Sequence, residues 1–195
     1  MRRILLSLAL LAVFAASHAR GDETTTRKAF VPGGAIRLHL DSGGYKILPS
    51  DSDAITVTPS DRWDDDSSPV RVEIRTSGAK AEVSVRHTQR NNFRATIEVP
   101  RRSNLWIRLS AGELDIDAIE GDKDIEAWAG QIVVDVGRPD DYGHRDASVL
   151  AGDIVAPAFD VSTGGLFRSF SQSGPGRFHL HAHVLAGEID LRGAR

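Results

Sequence analysis

The clearest chemical potential in this chain lies in three histidines, within Phe178-His179-Leu180-His181-Ala182-His183-Val184. On an extended strand every second side chain shares a face, with successive origins about 6.5–7 Å apart. Neutral imidazoles bind zinc, copper or nickel, and two at this spacing can share one ion. Three from one straight strand do not converge on a tetrahedral centre, so a neighbouring strand must add a ligand. Glu188 or an acid from a preceding repeat could do so. His179, His181 and His183 are therefore the candidate metal residues. The plain alternative is that they fill a solvated strand face.

Two tryptophans come next. Trp106 alternates with Leu105 and Ile107 and should point outward, and Trp128 stands close to Gly130. An exposed indole can stack on a sugar ring or anchor a protein interface. Trp106 and Trp128 are the candidate ligand or partner surface, against an alternative in which Trp106 packs under the other lobe and Trp128 covers a corner. Trp63 sits in a polar loop. The acids Glu113, Asp115, Asp117, Asp135, Asp153, Glu188 and Asp190 should face outward as a solvated ladder. None belongs to a calcium-binding Gly-Gly-x-Gly-x-Asp repeat. The run Asp61, Asp64, Asp65, Asp66 lacks the glycine and distal glutamate of an EF-hand. The chain has no Cys, no Gly-x-Ser-x-Gly elbow, no His-Glu-x-x-His and no P-loop. No catalytic or cofactor-binding residue is nominated, and no cofactor is expected.

The elements that must position these groups are strands. Ile36, Leu38 and Leu40 alternate with Arg37 and His39, and the same period of two recurs at Val70–Ile74, Ala81–Val85, Phe93–Val99 and Leu105–Leu109. In the second half an Ala-Gly tripeptide precedes each apolar-alternating run: Ala111-Gly112-Glu113, Ala129-Gly130-Gln131, Ala151-Gly152-Asp153 and Ala186-Gly187-Glu188. Thr163-Gly164-Gly165 is a looser copy. Gly112, Gly121 and Gly130 lie nine residues apart, and Gly130–Gly152 and Gly165–Gly187 are each 22 residues apart. These spacings suit half-coil and full-coil steps of a stacked β architecture, with glycine at the corners. Leu114, Ile116, Ile132, Val134, Ile154, Ile189 and Leu191 should then form inward columns. The expected fold is all-β, an N-terminal hairpin-rich lobe (20–100) running into a short right-handed parallel β-solenoid (101–195). The two parts could form one continuous domain.

Met1-Arg2-Arg3, an apolar run to Ala16 and the small residues Ser17 and Ala19 read as a secretory signal peptide over residues 1–19. Its removal from 195 residues leaves 176, and the loss of Arg2 and Arg3 takes the formal charge from −3 to −5. A mildly acidic surface argues against nucleic acid as a partner. No later apolar run is long enough to cross a bilayer.

The order Phe30-Val31-Pro32-Gly33-Gly34, an Ile/Leu strand, Asp41-Ser42-Gly43-Gly44, a polar loop, Val99-Pro100, Leu109-Ser110-Ala111-Gly112-Glu113-Leu114-Asp115-Ile116 and Ile119-Glu120-Gly121-Asp122 carries a resemblance. Over about residues 28–192 the chain resembles the bacterial exported β-strand-repeat family labelled "putative adhesin", a domain of unknown function. The resemblance implies a right-handed parallel solenoid-like fold in a cell-envelope protein, with no catalytic residues to carry over. The resulting expectation is a non-catalytic exported module, periplasmic or at the cell surface, with an adhesin-like binding or structural role. A cell-surface protein or glycan is the expected partner, and self-association through the C-terminal solenoid end is a further one. The alternatives are a periplasmic metal- or ligand-binding protein using the histidine strand, and a carbohydrate-active β-helix enzyme.

Overall fold

Alternation of apolar and polar residues becomes strand throughout the described residues. The computed structural model describes residues 25–59, 70–86 and 93–193. Residues 1–19, expected to be a signal peptide, and Trp63 and the acidic run 61–66 lie outside the described residues. Seven short strands come first: β1 Thr26–Ala29, β2 Ala35–Leu40, β3 Gly43–Ser50, β4 Ala54–Pro59, β5 Arg71–Ser77, β6 Lys80–Arg86 and β7 Arg94–Pro100. Five long ones follow: β8 Asn104–Ile116, β9 Lys123–Asp135, β10 Tyr142–Ala156, β11 Val161–Ser173 and β12 Phe178–Arg192. Among the described residues the other regular elements are two single 3-10 turns, Pro139–Asp141 and Pro157–Phe159, each opened by a proline. Among the described residues no helix is long and apolar enough to cross a membrane.

All twelve strands belong to one mixed sheet. The first half of β8 pairs in parallel with β2 (Ile36↔Leu105, Leu40↔Leu109), and its second half pairs with β3 (Gly43↔Gly112, Ile47↔Ile116). The chain breaks between β2 and β3, whereas β8 runs through the same bend unbroken. The long strands therefore join two wings of sheet. The inward parity changes at the bend, from Leu105, Ile107 and Leu109 to Leu114 and Ile116. β12 changes likewise, from Leu180, Ala182 and Val184 to Ile189 and Leu191. This slip lets both wings face one core, a single buried cluster that runs from Phe30 to Leu191. All seven residues expected in inward columns are buried. Each contributes about 1.5–3 kcal/mol by leaving water.

Glycines line the bend. Gly43, Gly112, Gly130, Gly187, Gly152 and Gly165 are successive partners across the sheet. Gly130 and Gly152 have φ of 125° and 141°, which side chains of L-residues rarely adopt. A Cβ on Gly130 would lie 1.8 Å from the Gly112 carbonyl oxygen, and one on Gly152 would lie 1.7 Å from that of Gly187. The tripeptide's glycine is thus required twice, by dihedral angle and by close approach of the neighbouring backbone.

The order of stacking departs from the sequence reading. β8 and β9 follow chain order, offset by 18 residues (Ala111↔Ala129). β12 then inserts between β9 and β10, parallel to both. The 22-residue interval from Gly130 to Gly152 therefore spans strands that are not neighbours. Gly121, midway in the 18-residue step, lies in the connection between β8 and β9 beside the bridge Arg102↔Glu120, with a φ of 142° and the Ser103 carbonyl oxygen 2.3 Å from where its Cβ would stand. The reversal at Pro157–Phe159 sends β11 back antiparallel to β10. The all-β expectation holds, in the form of a mixed sheet rather than coils stacked in chain order. The chain's last strand is also not the end of the sheet. β12 is paired on both sides, so the open end expected at the C-terminus is instead β11, which among the described strands pairs with β10 alone.

Candidate functional site

The outer face of the first wing collects the charged and aromatic residues. On β9, Ile125 and Ala127 point inward, so Asp124 and Glu126 point outward. The same alternation turns out Trp106 and Arg108 on β8, His181 and His183 on β12, and Asp146 and Ser148 on β10. Pairing aligns them in two rows. One runs Arg37, Trp106, Asp124, His181, Asp146, and the next runs His39, Arg108, Glu126, His183, Ser148.

The three histidines share this face, as their spacing requires, yet each is held by a different neighbour. The backbone N–H of His179 donates to Asp122 Oδ1 at 2.9 Å. His181 Nδ1 lies 2.5 Å from Asp146 Oδ2, and His183 Nδ1 lies 2.8 Å from Ser148 Oγ. They do not meet one another. The convergence runs across strands instead: one ligand atom each from Asp124, Glu126 and His181 lies within 4.8 Å of the others. The acids come from β9, which is next to β12 in space but 57 residues away by register (Gly187↔Gly130). Nothing in the spacing of the histidines could have named them.

Arg108 already occupies the two acids. Its Nη1 donates to Asp124 Oδ1 at 2.8 Å, and its Nε lies 3.0 Å from Glu126 Oε2. Its guanidinium carbon stands 3.6 Å from the centre of the Trp106 ring. His39 approaches the same ring edge-on at 5.3 Å. Trp106 therefore points outward as expected, but with a face covered by Arg108. Trp128 is different: it is 73% exposed and walls a shallow hollow of about 340 Å³ lined also by His39, Glu82, Arg86, Arg108 and Glu126.

Trp128 opens an apolar stripe along the outside of the bend. Leu185 and Leu150 stand at equivalent positions, one residue before their Ala-Gly pairs, and Leu166 and Phe167 follow on β11. Phe167 is 78% exposed and Leu166 65%. Phe167 also has a φ of 53°, a left-handed backbone that costs a non-glycine residue about 1–2 kcal/mol. Most of the expected outward acids are at least partly exposed, but Asp190 is buried, because Arg192 folds over it and donates from Nε to Oδ2 at 2.8 Å.

Lys123 escaped notice in sequence. It is 1% exposed, in register with Leu105 and Leu180. Its Nζ donates to the carbonyls of Ile119 (2.6 Å) and Gly121 (3.2 Å) and to the Tyr142 hydroxyl (2.5 Å). Burial pushes the ammonium down to about 8, with Asp122 and Asp135 pulling the other way. Burial likewise raises the Tyr142 phenol, helped by Asp141, Asp135 and Asp122. The signal was present: Lys123 shares the inward parity of Ile125 and Ala127. It ties the β8–β9 connection to the core and faces no solvent.

No family model matches the chain, and no curated protein matches it in sequence. Among solved structures it is similar to a "putative cell adhesion protein" from Clostridium sporogenes, with a TM-score of 0.54 and 14% identity. The match covers 88% of this chain and 99% of that one. The likeness is one of fold. At this identity it carries no residue of one protein onto the other.

Proposed function

We propose that this is a non-catalytic, exported module of the cell envelope, of adhesin type, which docks an extended segment of a cell-surface protein at the β11 end of the sheet. The observation that carries the reading is Phe167, a large aromatic held outward on a left-handed backbone beside an open strand edge. Strain of this kind persists where the surrounding structure imposes it, and it clusters at binding sites. An open edge offers backbone hydrogen bonds to an added strand, and exposed aromatic side chains anchor it. Leu166, Leu150 and Leu185 extend the anchor with aliphatic surface, which suits a protein better than a sugar. The fold shared with the "putative cell adhesion protein" of Clostridium sporogenes agrees with this reading. We also read the β8–β9 step as one coil of a short right-handed solenoid, as the family resemblance implies.

The test is binding of the labelled mature chain to intact bacterial cells. Phe167→Gly removes the anchor and relaxes the backbone strain. It should weaken binding roughly 30-fold or more, the loss of a hot spot of about 2 kcal/mol. Stability should stay level or rise by up to about 1 kcal/mol. Protease treatment of the cells should abolish binding. Unchanged binding by Phe167→Gly would overturn the proposal. So would binding that survives protease but not periodate, which indicates a glycan. A dimer in sedimentation with no cell binding would replace the partner by a second copy.

A further inference from the structure

We propose a divalent transition-metal site on the outer face of the first wing, with Asp124, Glu126 and His181 as ligands and Asp146 as the residue that orients His181. This does not rest on the adhesin reading, since it uses a different part of the sheet.

The three ligand atoms lie within 4.8 Å of one another across two neighbouring strands. Ligand distances of about 2.0–2.2 Å put neighbouring ligand atoms around a tetrahedral zinc ion some 3.3–3.5 Å apart, within reach of side-chain rotation. The second observation is the hydrogen bond from His181 to Asp146. A carboxylate at Nδ1 fixes the tautomer with its proton there and leaves the Nε2 lone pair free for an ion, the arrangement that supports histidine ligands in metal sites. Asp146 also lies 3.3 Å from His144 Nε2, so it is itself held in place. His183, in register with Glu126, stands beside the site.

The two acids are balanced by Arg108. Asp124 and Glu126 point the same way from one strand, and the Arg108 guanidinium bridges them. A divalent ion would displace that guanidinium, which keeps its stacking on Trp106. The mixed nitrogen and oxygen set favours zinc, or cobalt and nickel, over calcium, which takes oxygens alone. The site differs from a single-strand histidine site: His179 takes no part, and two of its three ligands come from β9.

Calorimetric titration of the full chain with zinc chloride tests it. Wild type should bind one ion. His181→Ala and the pair Asp124→Asn with Glu126→Gln should each lose at least about tenfold in affinity, and Asp146→Asn about 10–100-fold. His179→Ala should bind as wild type does. The imidazole nitrogen resonances of His181 should shift on zinc addition, a readout that needs no substitution. No binding up to millimolar zinc would overturn the proposal. So would His179→Ala weakening binding as much as His181→Ala, or calcium displacing zinc at equal concentration.

Discussion

The middle of the sheet and its β11 end obey the same pattern and differ in what lies on the far side. Between β8 and β10 every strand has two neighbours. On the outer face of the first wing, charges there meet complements one strand away, as Arg108 meets Asp124 and Glu126 and His181 meets Asp146. Among the described strands β11 has one neighbour, and its tip presents Leu166 and Phe167 exposed. Interior strands turn their polar groups into a paired lattice, which could be opened by an ion. The end strand keeps apolar surface and backbone edge, which could be covered by a partner. One repeat thus yields two surfaces with different chemistry.

The largest predicted effect tests the bend itself. Gly130→Ala or Gly152→Ala puts a methyl group within 2 Å of a neighbouring carbonyl oxygen, where no rotamer can move it. Each should cost more than about 4 kcal/mol and leave little folded protein in urea titration. Gly165→Ala, on the end strand, meets only Arg168 side-chain atoms at 3.4 Å. It should cost about 1–2 kcal/mol, for its φ alone. Equal losses at the two places would erase the distinction between interior and end.

Lys123 gives a smaller, pH-dependent effect. Its folded value of about 8 lies below the ordinary 10.5. Between these values the unfolded chain binds more protons, so the Lys123 contribution should raise stability from pH 8 towards pH 10; above pH 10 the raised Tyr142 phenol reverses the slope, because the unfolded chain then loses its phenolic proton first. The gain is on the order of 1–3 kcal/mol. Lys123→Leu, which continues the row of Leu105 and Leu180, should flatten that part of the curve. A wild-type stability that falls over the same range while the variant's does not would sink the assignment.

The smallest effect separates covered from exposed ion pairs. Arg108→Ala removes two carboxylate contacts and the cover of Trp106. It should cost about 1–2 kcal/mol. Glu113→Gln breaks only its exposed contact with Arg94, 3.3 Å long, and should cost less than about 0.5 kcal/mol. Thermal melts of the two variants at equal ionic strength decide it.

Much of this architecture was legible. Period-two alternation named strands and the inward columns, because a pleated strand turns alternate side chains to opposite faces. The outward positions of Trp106 and of the three histidines followed from the same rule. The candidate metal ligands on β9 did not, because the residue opposite a histidine is set by strand order and register. Asp190 was misjudged for a similar reason: alternation predicts the side of the sheet a residue faces, while burial there depends on Arg192 folding back.

Taken alone, then, the sequence determined that this chain is a β protein, where its strands bend and which residues must be glycine. Those are local properties, imposed by side-chain alternation and by backbone conformations that only glycine adopts without strain. The tertiary structure decided which strand lies beside which. Every Ala-Gly repeat presents the same edge, so the ladder is compatible with several orders. The insertion of β12 between β9 and β10, and the reversal of β11, selected one. That choice set His181 opposite Asp124, left Phe167 at an open end and kept the chain's last strand inside the sheet.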